Sequence, residues 1–158
     1  MLEHVVRSNS ELIKRMKAEG HLICNHTANH PNLANAPKEK IAAELQQLED
    51  AVTAVTGECC APYFRPTEGS FSRAMLETVQ ELGYQTVFWS FAYADWDNQH
   101  QPAPRAALQK ILANMHNGAV LLLHPTSETN AIILKELIDT LKNQGYRFGT
   151  LEELCKGR

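Results

Sequence analysis

Two histidines four residues apart, His26 and His30, occupy the stretch GHLICNHTANHPNL at positions 20–33, directly after a short apolar run. Imidazoles at this spacing can share one face of a helical turn and chelate one divalent metal ion. Exposed or capping histidines show the same spacing, so the pair alone leaves both readings open. Thr27 and Asn29 between them, with Pro31 after, point to a tight polar loop whose side chains bond the backbone and hold the rings.

Three further residues have acid–base chemistry. His124 closes the apolar run AVLLLH, which puts its ring at the rim of a core, where a neighbouring carboxylate can govern its proton. The alternative is a core-edge histidine satisfied by a backbone carbonyl. Asp95 is the candidate carboxylate: it follows QTVFWSF and precedes Trp96, whose indole can wall a pocket. Asp97 competes for that role, and either aspartate can instead cap the polar loop DNQHQPAP. Arg65, in YFRPTEGSFS, has Pro66 and Gly69 shaping the loop after it. That setting suits a guanidinium aimed inward at a carboxylate, and also a surface arginine beside a turn.

These residues need a scaffold, and the chain alternates helix-period and strand-like segments to supply one. SNSELIKRMKAEG (8–20) carries a possible capping box from Ser8 to Glu11, with Leu12, Ile13 and Met16 on one face. HLICN then reads as a buried strand. From Pro37 to Gly57, the residues Ile41, Leu45, Leu48, Val52 and Val55 give a long helix with Gly57 as its C-terminal cap. A strand at Pro62 to Arg65 precedes a helix marked by Met75, Leu76, Val79 and Leu82, which stops at Gly83 before the strand QTVFWSF. Ala107, Leu108, Ile111, Leu112 and Met115 mark the next helix before the strand AVLLLH, and Ile133, Leu134, Leu137 and Leu141 the last, before YRF. Alternation of this kind implies parallel strands with helices outside, as a barrel or an open sheet. In such α/β folds chemistry collects at the C-terminal ends of strands. Here those ends carry His26 and His30, Arg65, Asp95 with Trp96, and His124, so one shared pocket is the economical expectation.

With 158 residues, a formal charge of −3, and 44% hydrophobic and 21% charged residues, the expectation is a single domain over 1–158. No basic run is present to track a phosphate backbone, so nucleic acid is not an expected partner. No apolar stretch approaches the roughly 18 residues of a membrane span, and the first twenty residues lack the pattern of a signal peptide, so a cytoplasmic location is expected for the chain as written. The four cysteines, Cys24, Cys59, Cys60 and Cys155, have no CxxC spacing and read as free thiols of a reducing compartment.

Taken in order, HTANH, FRPTEGSFS, WSFAYADW and LLLH resemble the motifs of polysaccharide deacetylases with a NodB-like catalytic domain, a carbohydrate esterase type. The resemblance covers nearly the whole chain and is nearest to the branch that deacetylates muramic acid of peptidoglycan on the way to muramic lactam. It implies metal-dependent hydrolysis of N-acetyl groups on an N-acetylated glycan, with zinc or a similar divalent ion as cofactor. His26 and His30 would be metal ligands and Thr27 would brace their loop. Arg65 would orient the catalytic base, Asp95 would tune His124, and His124 would be the general acid. Trp96 and Leu121 would line the pocket for the acetyl methyl group, and Glu68 would face the glycan, where many members carry Pro-Tyr at the positions of Thr67 and Glu68.

The chain departs from the family pattern at its start. Members begin with a strand ending in a paired-aspartate motif of the TFDD or TFDNG kind, which supplies the base and the third ligand; the first aspartate here is Asp50. The expectation is an incomplete (β/α) barrel that lacks the first strand–helix–strand, roughly 40 to 60 residues. Metal affinity is then weakened, and an inactive domain that binds glycan or a partner copy is the alternative function. The open barrel edge predicts low stability or a homodimer.

Overall fold

The computed structural model describes residues 2–156. Their contacts divide into two units, one ending at Phe88 and one beginning at Trp89.

The first unit is built around helix α3, Lys38–Thr56, which ends as its spacing predicts, with Gly57 in the left-handed region at φ 75°. Its apolar stripe serves two clusters. Leu48, Ala51 and Val52 pack with Val6, Ile13, Ile23, Ala28 and Cys60, while Ile41 and Leu45 pack with Leu33, Phe64, Met75 and Val79. Two short helices precede it, α1 (Glu3–Ser8) and α2 (Ser10–Ala18), and α4 (Arg73–Glu81) follows, capped by the Ser72 hydroxyl. Strands β1 (Cys24–Asn25), β2 (Ala61–Phe64) and β3 (Gln85–Thr86) form a parallel sheet in the order β1-β2-β3. The pairing of β1 with β2 shifts register between Cys24, opposite Ala61, and Asn25, opposite Phe64. This irregularity brings the His26 ring against the chain at Arg65.

In the second unit, α5 (Pro104–Leu112) and α6 (Glu128–Asn143) enclose Phe91, Ala107, Leu108, Ile111, Ile133, Leu137 and Leu141. Proline opens α5, where its missing N–H costs nothing, and the Ser127 hydroxyl caps α6 by accepting the Asn130 N–H. A short helix α7 spans Leu151–Lys156.

The α/β class with parallel strands is as expected, but several elements differ. The capping box at Ser8 does not form: Ser8 ends α1, and Asn9 starts α2 with no side-chain bond. Leu12 is 52% exposed, so Ile13 and Met16 alone face the core. The expected strands at 21–25 and 85–91 shrink to two residues each. AVLLLH forms no regular strand among the described residues; Leu121 makes a single parallel bridge to Phe91. There the Ser90 N–H donates to the Val120 carbonyl and the Leu122 N–H to the Phe91 carbonyl, while the Ser90 hydroxyl accepts the Val120 N–H. YRF is irregular, and the missed α7 follows a capping box in which Thr150 and Glu153 bond each other's N–H groups.

Candidate functional site

The His26–His30 segment is a polar loop whose side chains bond the backbone, with no helical turn. Thr27, at φ 66°, and His30, at φ 59°, are both left-handed, a conformation unfavourable for a β-branched residue. Local bonds hold it. Asn25 Oδ1 accepts the Thr27 N–H at 3.0 Å, and Thr27 Oγ1 accepts the His30 N–H at 2.9 Å. Glu44 of α3, whose side chain is 2% exposed, accepts the Asn29 N–H at 3.0 Å, while its backbone carbonyl accepts the Ala28 N–H. Thr27 Oγ1, Asn25 and Glu44 thus hold the loop, the last two being residues that sequence reasoning missed.

His26 is buried and donates Nδ1–H to the Arg65 carbonyl at 2.6 Å, which leaves Nε2 as the nitrogen with a free lone pair. Burial, aided by the nearby Arg65 charge, pushes its pKa down to about 3, so at neutral pH the ring is in the neutral form that binds metals. The His26 and His30 ring centroids lie 5.0 Å apart at 84°. Two imidazoles bound through one nitrogen each to a single tetrahedral ion have centroids about 5 Å apart, so the pair fits two positions of a zinc-type site. Among the described residues no His, Cys, Asp or Glu joins them to make a group of three.

Arg65 is half-buried, and burial lowers its pKa. No carboxylate pairs with it among the described residues, so the inward ion pair expected for it is not formed. Glu68 is exposed at φ 57° and accepts a bond from Asn32 at 3.0 Å.

In the second unit the two aspartates bond different histidines. Asp95 is 0% exposed; its Oδ1 accepts from His124 Nδ1 at 2.7 Å, and its Oδ2 accepts the His124 backbone N–H at 2.7 Å. Asp97 instead bonds His100 and the Gln99 N–H. Asn130, which sequence reasoning also missed, donates to Asp95 Oδ2 at 2.6 Å. The signal for it was the cap pattern Ser127–Asn130, which fixes the residue within the first turn of α6. His124 is partly exposed, so an imidazole held by a buried carboxylate presents Nε2 outward. Trp96 is 64% exposed, and Leu121 lines a cavity of about 520 Å³ with Val120, Tyr146 and Phe148.

The fold is α/β with parallel strands, a histidine pair follows β1 and an aspartate–histidine pair lies in the second unit, and comparison with known proteins identifies the family. The polysaccharide deacetylase family model matches residues 1–87. The chain belongs to the polysaccharide deacetylase family. It is 40% identical over 151 residues to peptidoglycan-N-acetylmuramic acid deacetylase PdaA of Bacillus subtilis, covering 96% of this chain and 57% of that protein. The crystal structure of Bacillus subtilis PdaA, a family 4 carbohydrate esterase, superposes with a TM-score of 0.93 at 39% identity, over 99% of this chain and 67% of that one. BA3943 of Bacillus anthracis, described as a family 4 pseudoenzyme, matches with a TM-score of 0.84 at 28% identity, over 94% of this chain and 51% of that one. The chain thus spans little more than half the length of the curated relative. No helix among the described residues is long and apolar enough to cross a membrane.

Proposed function

We propose that this chain carries active-site residues of a metal-dependent N-deacetylase acting on amino sugars of peptidoglycan. The observation that carries the proposal is the Asp95–His124 pair. With Nδ1–H committed to a fully buried carboxylate, the protonated ring has only Nε2–H to give, which suits donation to a departing amine. In the overall reaction the amide C–N bond breaks, the water oxygen joins the acetyl carbon, the water proton goes to a carboxylate base, and His124 supplies the proton that the nitrogen takes. His26 and His30 would hold a divalent ion such as zinc through two neutral imidazoles. Bound there, such an ion supplies Lewis acidity toward an acetamide carbonyl and water. Arg65 would orient a carboxylate base, Trp96 and Leu121 would receive the acetyl methyl group, and Glu68 would face the glycan. The substrate follows the name of the Bacillus subtilis relative.

The test is acetate release from N-acetylated peptidoglycan fragments with zinc supplied, run beside His124→Ala, with zinc binding followed by calorimetry on the chain and on His26→Ala. Release that falls by at least about 100-fold in His124→Ala, with binding lost in His26→Ala, is expected. Equal release from both proteins overturns the assignment.

A second reading has an observation of its own: the histidine pair has no third grouped ligand among the described residues. The chain would then bind glycan without turnover. Saturable binding of the same fragments with no acetate released under any metal favours it. Pairing of copies through β1, the outer strand of the sheet, belongs to the same proposal, and a monomer in sedimentation at high concentration removes it.

A further inference from the structure

We infer that Asn130 is a positioning residue for His124, acting through Asp95; this rests on the proposed role of His124 as a proton donor. The Asn130 amide has one possible orientation. Its oxygen faces the Tyr93 hydroxyl, a donor, while its nitrogen faces two acceptors, Asp95 Oδ2 at 2.6 Å and the His124 carbonyl at 3.2 Å. Flipping the amide sets its oxygen against a carboxylate and a carbonyl, with no proton between them. The residue is also anchored from behind. Ser127 Oγ accepts the Asn130 N–H at 3.1 Å, and Ser127 in turn bonds Gln101, which donates to the Asp95 carbonyl at 3.0 Å.

The consequence lies in how Asp95 divides its two oxygens. Oδ2 is taken by the His124 N–H and the Asn130 amide, which leaves Oδ1 for the imidazole Nδ1–H. Removing the Asn130 donor from this buried carboxylate frees it to rotate, and the bond that holds the ring in one tautomer loosens. Asn130 and His124 are joined a second time through the His124 carbonyl, so one side chain holds the ring's partner and its backbone together.

Asn130→Asp is the informative variant because it has nearly the same shape. It places a second carboxylate against Asp95, and two like charges at that distance share a proton, so Asp95 no longer stands as a full anion beside the ring. The expected result in Asn130→Asp is loss of the single Nδ1–H tautomer in nitrogen-15 spectra of histidine-labelled chain, with the fold kept by circular dichroism. Acetate release, where the chain shows it, falls on the order of 100-fold in kcat with KM little changed. Asn130→Ala, which removes the donor outright, checks the same signals should the aspartate variant fold poorly. An unchanged tautomer signature in either folded variant overturns the inference. The spectra read out the positioning without turnover: a changed tautomer with no acetate released by any variant sinks the deacetylase reading alone, while undiminished release from Asn130→Asp sinks the positioning role alone.

Discussion

His124 and Asp95 are joined at two points, the carboxylate accepting the histidine backbone N–H and its Nδ1–H, each at 2.7 Å. A single bond would let the ring swing about the carboxylate. Two bonds to different oxygens set both the ring and the chain that carries it, so the direction of Nε2 follows from the burial of Asp95.

Asp95→Asn breaks this arrangement without changing its size. With its oxygen kept toward the His124 N–H and Asn130, the new amide turns its NH2 to His124 Nδ1, which must then accept, so the neutral ring is forced into the opposite tautomer. The expected outcome is a loss of about 1–3 kcal/mol of stability as bonds to a charged acceptor become bonds to a neutral one, measured by urea unfolding. Acetate release should fall about 100- to 10,000-fold, the range spanned by lost acid–base catalysis. A variant with unchanged stability and unchanged release would show that the carboxylate is dispensable.

Glu44 connects α3 to the histidine loop, and its protonation should set the acid limit of the first unit. Burial favours the protonated form, but bonds from Lys40 and Asn29 outweigh it, and the net pKa lies below the ordinary 4.5. A carboxylate with a depressed folded pKa contributes stability that is complete above its unfolded pKa and lost as pH falls through the folded value. Urea midpoints should therefore drop as pH falls below about 4.5. Glu44→Gln should be about 1–3 kcal/mol less stable at neutral pH and show a flatter acid limb. Parallel pH profiles for the two proteins would contradict this.

Thr27 combines a strained backbone with a useful hydroxyl. Its left-handed φ of 66° is costly for a β-branched side chain, while Oγ1 satisfies the His30 N–H. Thr27→Val keeps the strain and loses the bond, with an expected cost of about 1–3 kcal/mol. Thr27→Gly loses the bond but relieves the strain, and should fall within about 1 kcal/mol of the parent protein. Denaturation of both variants side by side checks the order; a glycine variant less stable than the valine one reverses it.

The adjacent thiols should differ in reactivity. Cys59 is exposed, whereas burial and the neighbouring Glu49 push the Cys60 thiol up to about 12. Only the thiolate attacks alkylating reagents. At pH 8, iodoacetamide followed by peptide mass spectrometry should find Cys59 labelled well ahead of Cys60; equal rates would mean that Cys60 is reached by solvent.

Helices α3, α4, α5 and α6 were legible because helical period and end signals are local. Apolar residues three and four apart share a face, and glycine or serine marks an end within one turn. Helix α7 was missed, although Thr150 and Glu153 mark its start. The strands were overread because a short apolar run says nothing about its partner. Val87 N–H reaches the Phe64 carbonyl beyond β3, and Ser90 and Leu122 N–H groups reach the Val120 and Phe91 carbonyls, but these bonds do not extend into a regular ladder.

For the proposed site, residue type and position nominate His26, His30, Arg65, Asp95 and His124, which all follow strand-like segments. Tertiary structure supplied the supports. It paired His124 with Asp95 and His100 with Asp97, set Thr27 and His30 of the histidine loop in the left-handed region, and added Asn25, Glu44 and Asn130. The reason is separation along the chain. His124 and Asp95 are 29 residues apart, and Asn130 and Asp95 are 35 apart, so no local pattern records their contact. Residue type sets what a group can do, and burial together with the directions of its hydrogen-bond partners sets which proton it holds and where it points.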